Sequence, residues 1–332
     1  MCLSHLTHSF KPAACPAPPV LCSTMDDAPA PDVGVSVGDL LALLGSPHAL
    51  ARAAPTLHVS ASLPHQTAAV EAPPGALEER RGLADRGFAA ARGAIDGRTS
   101  LAMALGVEAL RERSLPASFV YAFDEPWMIG EQIRQQMSHR LGHEYRLVED
   151  VWAWHVPPGQ NGWPPHRGVY DVRLDRDAPE ILNTWVALSE VPADRACIHI
   201  VPLEEDASYP RALERVDVPT SAGQALPADP GDVLFWNANV LHWGGRCSER
   251  ATGPRISCSF TLCRGDAVGR FPRLQILRPL SELDLTARVD AIARMVTTYG
   301  KHQPDVSETV RQWASLTVAL TSRVGSPLRK AP

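Results

Sequence analysis

Two histidines on separate apolar segments, with an arginine beyond the second, are the residues whose types and order could do chemistry in this chain. His166 ends a stretch that begins with Trp152 and Trp154 and runs through Pro157, Pro158, Gly159, Gly162, Pro164 and Pro165. His242 follows the apolar run Val233 to Trp236 and precedes Trp243, Gly244 and Gly245. Imidazoles presented by two different strands begin a transition-metal site, and Arg255 adds a fixed cation able to hold an acidic co-substrate beside it. Ser257 lies two residues on, where a strand places side chains on one face, and can donate a second hydrogen bond to the same acid. Trp152 and Trp154 share a face by the same rule and are candidates for the wall of a substrate pocket, whereas His155 points the other way.

Each residue has a plainer reading. His166 fits a loop histidine, and His242, between Leu241 and Trp243, fits a satisfied core histidine. Arg255 fits a surface pair with Glu249, worth only ~0–1 kcal/mol. Tryptophans on barrel strands are more often core than substrate wall. A rival of another class is a structural zinc site made of His242 with Cys247, Cys258 and Cys263, although the chain has no Cys-x-x-Cys spacing.

The run from about Ala117 to Arg264 resembles the phytanoyl-CoA dioxygenase-like branch of the iron(II)/2-oxoglutarate oxygenases. The residues that carry the resemblance are Trp152 to Trp154, His166, Asn183 to Leu188, His242 and Arg255. It implies a double-stranded β-helix (jelly-roll or cupin-like) core, iron(II) held by His166 and His242, and 2-oxoglutarate held by Arg255 and Ser257. One position departs from the family pattern of His-x-Asp: His166 is followed at that spacing by Gly168, and none of the 12 histidines has a carboxylate two residues on. Iron(II) with two neutral imidazoles and an Asp carries one net positive charge, and with Gly the same sum returns if a halide binds there. The arrangement resembles that of the radical halogenases. It implies chloride or bromide beside Gly168, decarboxylation of 2-oxoglutarate to succinate and CO2 with consumption of O2, and halogen transfer to an unactivated carbon of a small molecule. The alternatives are a hydroxylase with an altered metal site, completed by water or by an acid such as Asp171, Asp175 or Asp177 brought in through a bulge or folded-back loop. A metal-free or zinc-bound binding module is the third reading.

The elements that must position these residues follow from pattern. The fold class expected is mainly β with flanking helices. Short strands punctuated by Pro, Gly and Asp are expected at 115–123, 144–156, 181–188, 196–202, 231–236 and 255–263. A helix is expected over 125–141, opened by Asp124, Glu125 and Pro126. Four regions result: a mostly disordered Pro/Ala-rich segment over 1–75, with one short helical candidate at Val37 to Leu44; a helical bracing region over 76–114; the catalytic core over 115–270; and helices over 271–332 that serve packing or dimerisation.

Composition narrows the partners. Among 332 residues there are 30 Pro, and the net charge of −5 comes without a sustained basic run, so nucleic acid is not an expected partner. No window approaches the ~18 apolar residues of a membrane span. Seven cysteines at irregular spacing argue against a secreted disulfide framework and for a cytoplasmic protein acting on a small molecule.

Overall fold

The computed structural model of the protein describes residues 34–63, 75–168, 176–216 and 223–324. Helices α1 (Val37–Leu44) and α2 (Pro47–Ala53) open it, each with a serine at its N-cap. Ser36 accepts from the Asp39 amide in a capping box, and Ser46 accepts from the Ala49 amide. Next come α3 (Ala76–Arg86), strand β1 (Phe88–Ala91), α4 (Gly97–Glu112) and α5 (Glu125–Leu141). Asp96 caps α4 by accepting from Arg98 and Thr99, and Gly142, at φ +71°, ends α5 in the left-handed conformation that glycine adopts without steric cost.

The remaining strands are β2 (Tyr145–Val156), β3 (Ile181–Ala187), β4 (Ile198–Ile200), β5 (Gln224–Leu226), β6 (Val233–Asn237), β7 (His242–Gly244) and β8 (Arg255–Arg264). Helices α6 (Leu285–Tyr299) and α7 (Glu308–Val324) close the described chain. The larger sheet runs β1-β6-β3-β8-β2 and the smaller β5-β4-β7, and the pairings given by register are antiparallel throughout. Residues 161–168 extend the smaller sheet along β7 through bridges Asn161–Arg246 and His166–His242. The chain is thus a jelly-roll-type core with flanking helices, as the sequence pattern requires.

Alternation sorts the larger sheet into two faces. Ile256, Cys258, Phe260 and Leu262 of β8, with Leu182, Val186, Val233 and Phe235, join the helices in one apolar cluster. Trp185, Ala187, Leu234 and Trp236 turn the other way and pack with Ile198, Ile200 and Leu226 of the smaller sheet. The space between the sheets therefore receives every second residue of β3, β6 and β8.

Three expectations change. The segment expected as a strand at 115–123 holds a 3-10 helix, Ala117–Ala122, with all six residues buried. A stretch buried on every side has no two-faced period, and Tyr121 fixes it by donating its hydroxyl to the carbonyls of Trp152 and Ser259 at 3.1 and 2.8 Å. The bracing region expected over 76–114 is not wholly helical, because Phe88, Ala89, Ala90 and Ala91 pair with β6 as an edge strand. This run is poor in β-branched residues, and its neighbour dictates its conformation. Within 1–75, residues 37–53 form two helices whose Leu40, Leu44 and Leu50 are buried; residues 1–33 and 64–74 lie outside the described residues.

A buried ion pair ties the helical layer together. Arg288 of α6 donates to Asp124 at 2.6 Å, Asp124 also accepts from the Ser60 amide at 2.9 Å, and Arg288 donates to the Ser60 carbonyl at 2.5 Å. Asp124→Ala leaves the Arg288 charge buried without its counter-ion. The expected loss is roughly 3–5 kcal/mol of unfolding free energy, read from a urea denaturation midpoint with unchanged slope.

Candidate metal centre

The two histidines predicted as ligands meet. His166 and His242 exchange backbone hydrogen bonds, each amide donating to the other's carbonyl at 3.0 Å, and their rings lie 4.1 Å apart between centroids at 52°. Gly162 and Gly244 let the two segments approach: a Cβ on Gly162 would fall 2.7 Å from the Gly244 Cα. Both rings are oriented by local carbonyls. His166 Nδ1 is 2.8 Å from the Pro164 oxygen and His242 Nδ1 is 2.9 Å from the Val240 oxygen. A carbonyl only accepts, so each Nδ1 carries the proton and donates, leaving Nε2 with its lone pair. This is the outer hydrogen bond that fixes the tautomer of a metal-ligating histidine.

Electrostatics agree with that state. Burial pushes the His166 pKa down to about 4. His242 lies well below the usual imidazole range, through burial first and then the positive charge its neighbour would carry. Two neutral, buried, pre-aimed imidazoles suit a borderline transition metal. Among the described residues no group of three His, Cys, Asp or Glu could hold a metal ion, so the pair has no protein carboxylate beside it there. Asp177 does not join it; Asp171 and Asp175 lie outside the described residues. The zinc alternative is not assembled either: Cys258, Cys263 and Cys247 sit in three different apolar clusters.

At Gly168 the expected open space is partly filled. Its amide donates to the Ala238 carbonyl at 2.7 Å, and a Cβ built there would lie 3.0 Å from Asn183 Nδ2 and 3.3 Å from that carbonyl. The corner beside the histidines thus presents an amide donor where the His-x-Asp pattern would put a carboxylate. Asn183 stands two residues before Trp185 on the inner face of β3. That spacing was visible in the sequence, but nothing in it said the amide would meet Gly168.

Arg255 is 1% exposed and has no acidic partner among the described residues, so the surface pair with Glu249 does not form; Glu249 instead lies 3.5 Å from Arg246. Its Nη1 donates to the Ala196 carbonyl at 2.9 Å, its Nε has no partner, and its guanidinium lies 5.9 Å from the ring centroids of Trp154 and Trp185. Burial lowers its pKa to about 10, which still leaves it charged at neutral pH. Ser257 is fully buried with its hydroxyl unpartnered. A buried cation with no acid beside it among the described residues and a buried hydroxyl with no acceptor, two residues apart on one strand face, suit an anion.

The tryptophans divide. The indole nitrogens of Trp152, Trp154, Trp185 and Trp236 are all buried without partners among the described residues. Trp236 packs against His242 at 4.7 Å, Trp163 reaches His166 at 6.0 Å, and Trp152 lies edge-on to Tyr299 at 5.9 Å. His155 turns away to Glu108 at 3.2 Å. Two supports went unforeseen. Arg167, next to His166, is clamped by Asp206 at 2.6 Å and by the Asn239 carbonyl at 2.9 Å, with both side chains of the ion pair fully buried. Tyr299, the last residue of α6, brings a C-terminal helix to the site.

Residues 106–251 match the family model described as Phytanoyl-CoA dioxygenase (PhyH). Over that stretch the chain is similar to the phytanoyl-CoA dioxygenase family. The match covers rather less than half of the chain and includes both histidines, Gly168 and Asn183, while Arg255 falls just beyond. Among solved structures, the non-heme alpha ketoglutarate dependent epimerase SnoN from nogalamycin biosynthesis is 20% identical, with a TM-score of 0.45 over 58% of this chain and 84% of that one. The carbocyclase SnoK of the same biosynthesis is 16% identical, with a TM-score of 0.46 over 62% and 92%. HygX from Streptomyces hygroscopicus, solved with nickel and 2-oxoglutarate bound, is 17% identical, with a TM-score of 0.41 over 57% and 86%. Likeness of that degree does not carry function. The comparison with curated proteins gives no match. No helix among the described residues is long and apolar enough to cross a membrane.

The paired imidazoles predict a measurable property. The protein binds nickel(II) or cobalt(II) by titration calorimetry, and His166→Ala or His242→Ala each weakens binding by at least the ~10–100-fold that even loss of an outer-shell partner costs. Asp206→Asn, which loosens Arg167 beside His166, gives a smaller loss in the same titration.

Proposed function

We propose that the protein is an iron(II)/2-oxoglutarate-dependent oxidoreductase of a small molecule, and that it transfers halogen rather than hydroxyl. The observation that carries the first part is the coexistence, in one inter-sheet space, of two tautomer-fixed imidazoles and a buried arginine without a counter-ion. His166 and His242 would hold iron(II) through Nε2. Arg255 would take the distal carboxylate of 2-oxoglutarate by paired N–H donors, and Ser257 would add its hydroxyl. Gly244 leaves room for the guanidinium, since a Cβ there would lie 3.0 Å from Arg255 Nη1. Iron(II) held there would, with the co-substrate and dioxygen, supply the oxidising power needed at an unactivated C–H bond.

The chain's own residues do the rest. The carbonyls of Pro164 and Val240 keep both imidazoles in the ligating tautomer. Trp154 and Trp185 flank Arg255 and keep water from its guanidinium, which strengthens its hold on a dicarboxylate. Gly168 withholds the carboxylate, and Asn183 supports the halide reading because its Nδ2 is a neutral donor directed at the same corner. A halide accepted there restores the charge that an aspartate would have brought and finds a hydrogen bond waiting. The hydroxylase reading is supported by the same crowding, since Asn183 narrows the space at Gly168 to less than a glycine alone would leave.

Turnover in chloride and in chloride-free buffer, with mass spectrometry of products for the chlorine isotope pattern, separates the two. Chlorinated product only when chloride is supplied is expected; hydroxylated product alone in saturating chloride would replace halogen transfer with the second reading. Gly168→Asp, whose added Cβ requires Asn183 to give by a few tenths of an ångström, should keep the fold, bind metal more tightly and lose chlorination. Arg255→Ala should weaken 2-oxoglutarate binding roughly 10- to 100-fold by the loss of charge-assisted hydrogen bonds, leaving nickel(II) affinity nearly unchanged in the same titration.

A further inference from the structure

At the end of the larger sheet remote from Arg255 the inner face carries an acid. Asp150 of β2 accepts from Thr261 Oγ1 at 3.0 Å and from the Tyr299 hydroxyl at 2.9 Å. Thr261 stands six residues from Arg255 on the same face of β8, roughly 20 Å along the strand. Trp152, two residues from Asp150, lies edge-on to Tyr299 at 5.9 Å; Tyr299 in turn lies 6.3 Å from Trp163, and Trp163 6.0 Å from His166. Asp150, Tyr299, Trp152 and Trp163 therefore form one continuous group leading to the metal ligands. The acid next to it in sequence behaves differently, since Glu149 has Arg294 at 3.0 Å. Among the described residues Asp150 has no Lys, Arg or His partner.

We propose that Asp150 is a specificity-determining residue that binds a protonated nitrogen of the substrate, so that the molecule oxidised at this centre is an amine or a related organic cation. This rests on the proposed function for the word substrate, not for the binding itself. A carboxylate offers about four lone-pair positions, and two neutral donors occupy only part of them. Burial pushes the Asp150 carboxyl up while Tyr299 and Thr261 pull it part of the way back, and the carboxylate keeps Tyr299 protonated as a donor by raising its pKa well above the usual phenol range. What the group lacks is a cation. The rings of Trp152, Trp163 and Tyr299 stand in one connected group beside it, and aromatic faces are surfaces that organic cations favour. The two ends of the inter-sheet space then select by charge: Arg255 draws the dicarboxylate to one end, and Asp150 draws the amine to the other.

The test uses the full-length, metal-free protein and two probes of nearly equal shape, phenethylammonium and 2-phenylethanol, titrated by tryptophan fluorescence. The wild type should bind the ammonium probe roughly tenfold or more tightly than the alcohol, the scale of a hydrogen bond to a charged group. Asp150→Asn should abolish the preference while unfolding at the same or a higher temperature, because it removes a half-buried charge that has no counter-ion among the described residues. Thr261→Val, which keeps the charge, should retain the preference. Equal affinity for the two probes, binding of neither, a preference surviving Asp150→Asn, or a lower melting temperature for that variant with the preference intact would each overturn the proposal. Titration of 2-oxoglutarate into the same samples reads the proposed function separately, since its failure to bind leaves the probe comparison untouched.

Discussion

The reciprocal backbone hydrogen bond between His166 and His242 is the contact on which the site depends. It stitches a loop segment to β7, and so sets the distance between two imidazoles that lie 76 residues apart in sequence. Everything nearby serves that bridge. Glycines at 162 and 244 permit the backbones to close, the Arg167–Asp206 pair pins the loop from behind, and local carbonyls turn each ring. A pair assembled this way needs no metal to find its geometry. Its ordering entropy is met by folding rather than by binding.

Much of this was legible in the sequence because the relevant constraints are local. The helix from Glu125 to Leu141 announced itself by its acidic, proline-bearing first turn and its Gly142 stop. Four strands of the larger sheet, β2, β3, β6 and β8, showed as short apolar runs between Pro, Gly and Asp, with edges accurate to a residue or two. His166, His242 and Arg255 were readable from their order along the chain, a histidine after each of two apolar runs and an arginine beyond, and from the family resemblance that this order carries. What escaped was set by tertiary contact. A run of alanines after Phe88 carries no strand signal and pairs only because β6 offers an open edge, and the segment around Tyr121 is helical because it is enclosed. Asn183 and Asp150 gained their meaning from residues 15 and 111 positions away, Gly168 and Thr261, which no window along the chain contains.

The inner faces of β3 and β8 are unusual for a core. Thr261, Ser257 and Arg255 alternate with Phe260, Cys258 and Ile256, so a single strand is apolar toward the helices and polar toward the other sheet. Several polar groups on these faces and on the neighbouring β2 and β6 lack partners among the described residues, including Arg255 Nε, Ser257 Oγ and four indole nitrogens. Native interiors rarely tolerate so many orphans in one place, and their concentration between two sheets marks a region whose hydrogen bonds are completed by something that enters. The helical layer carries the opposite character, with the deep charge pair of Asp124 and Arg288 satisfied.

The lone guanidinium of Arg255 also bears on how long the protein lasts. A charge held in the dark interior without an opposite sign raises the energy of the folded chain, and a dicarboxylate that neutralises it lowers that energy by mass action. Under the proposed function that dicarboxylate is 2-oxoglutarate, and resistance to proteolysis, with abundance in the cell, would rise and fall with its local supply. The polypeptide would be most durable where carbon metabolism is abundant, and shortest-lived where it is starved.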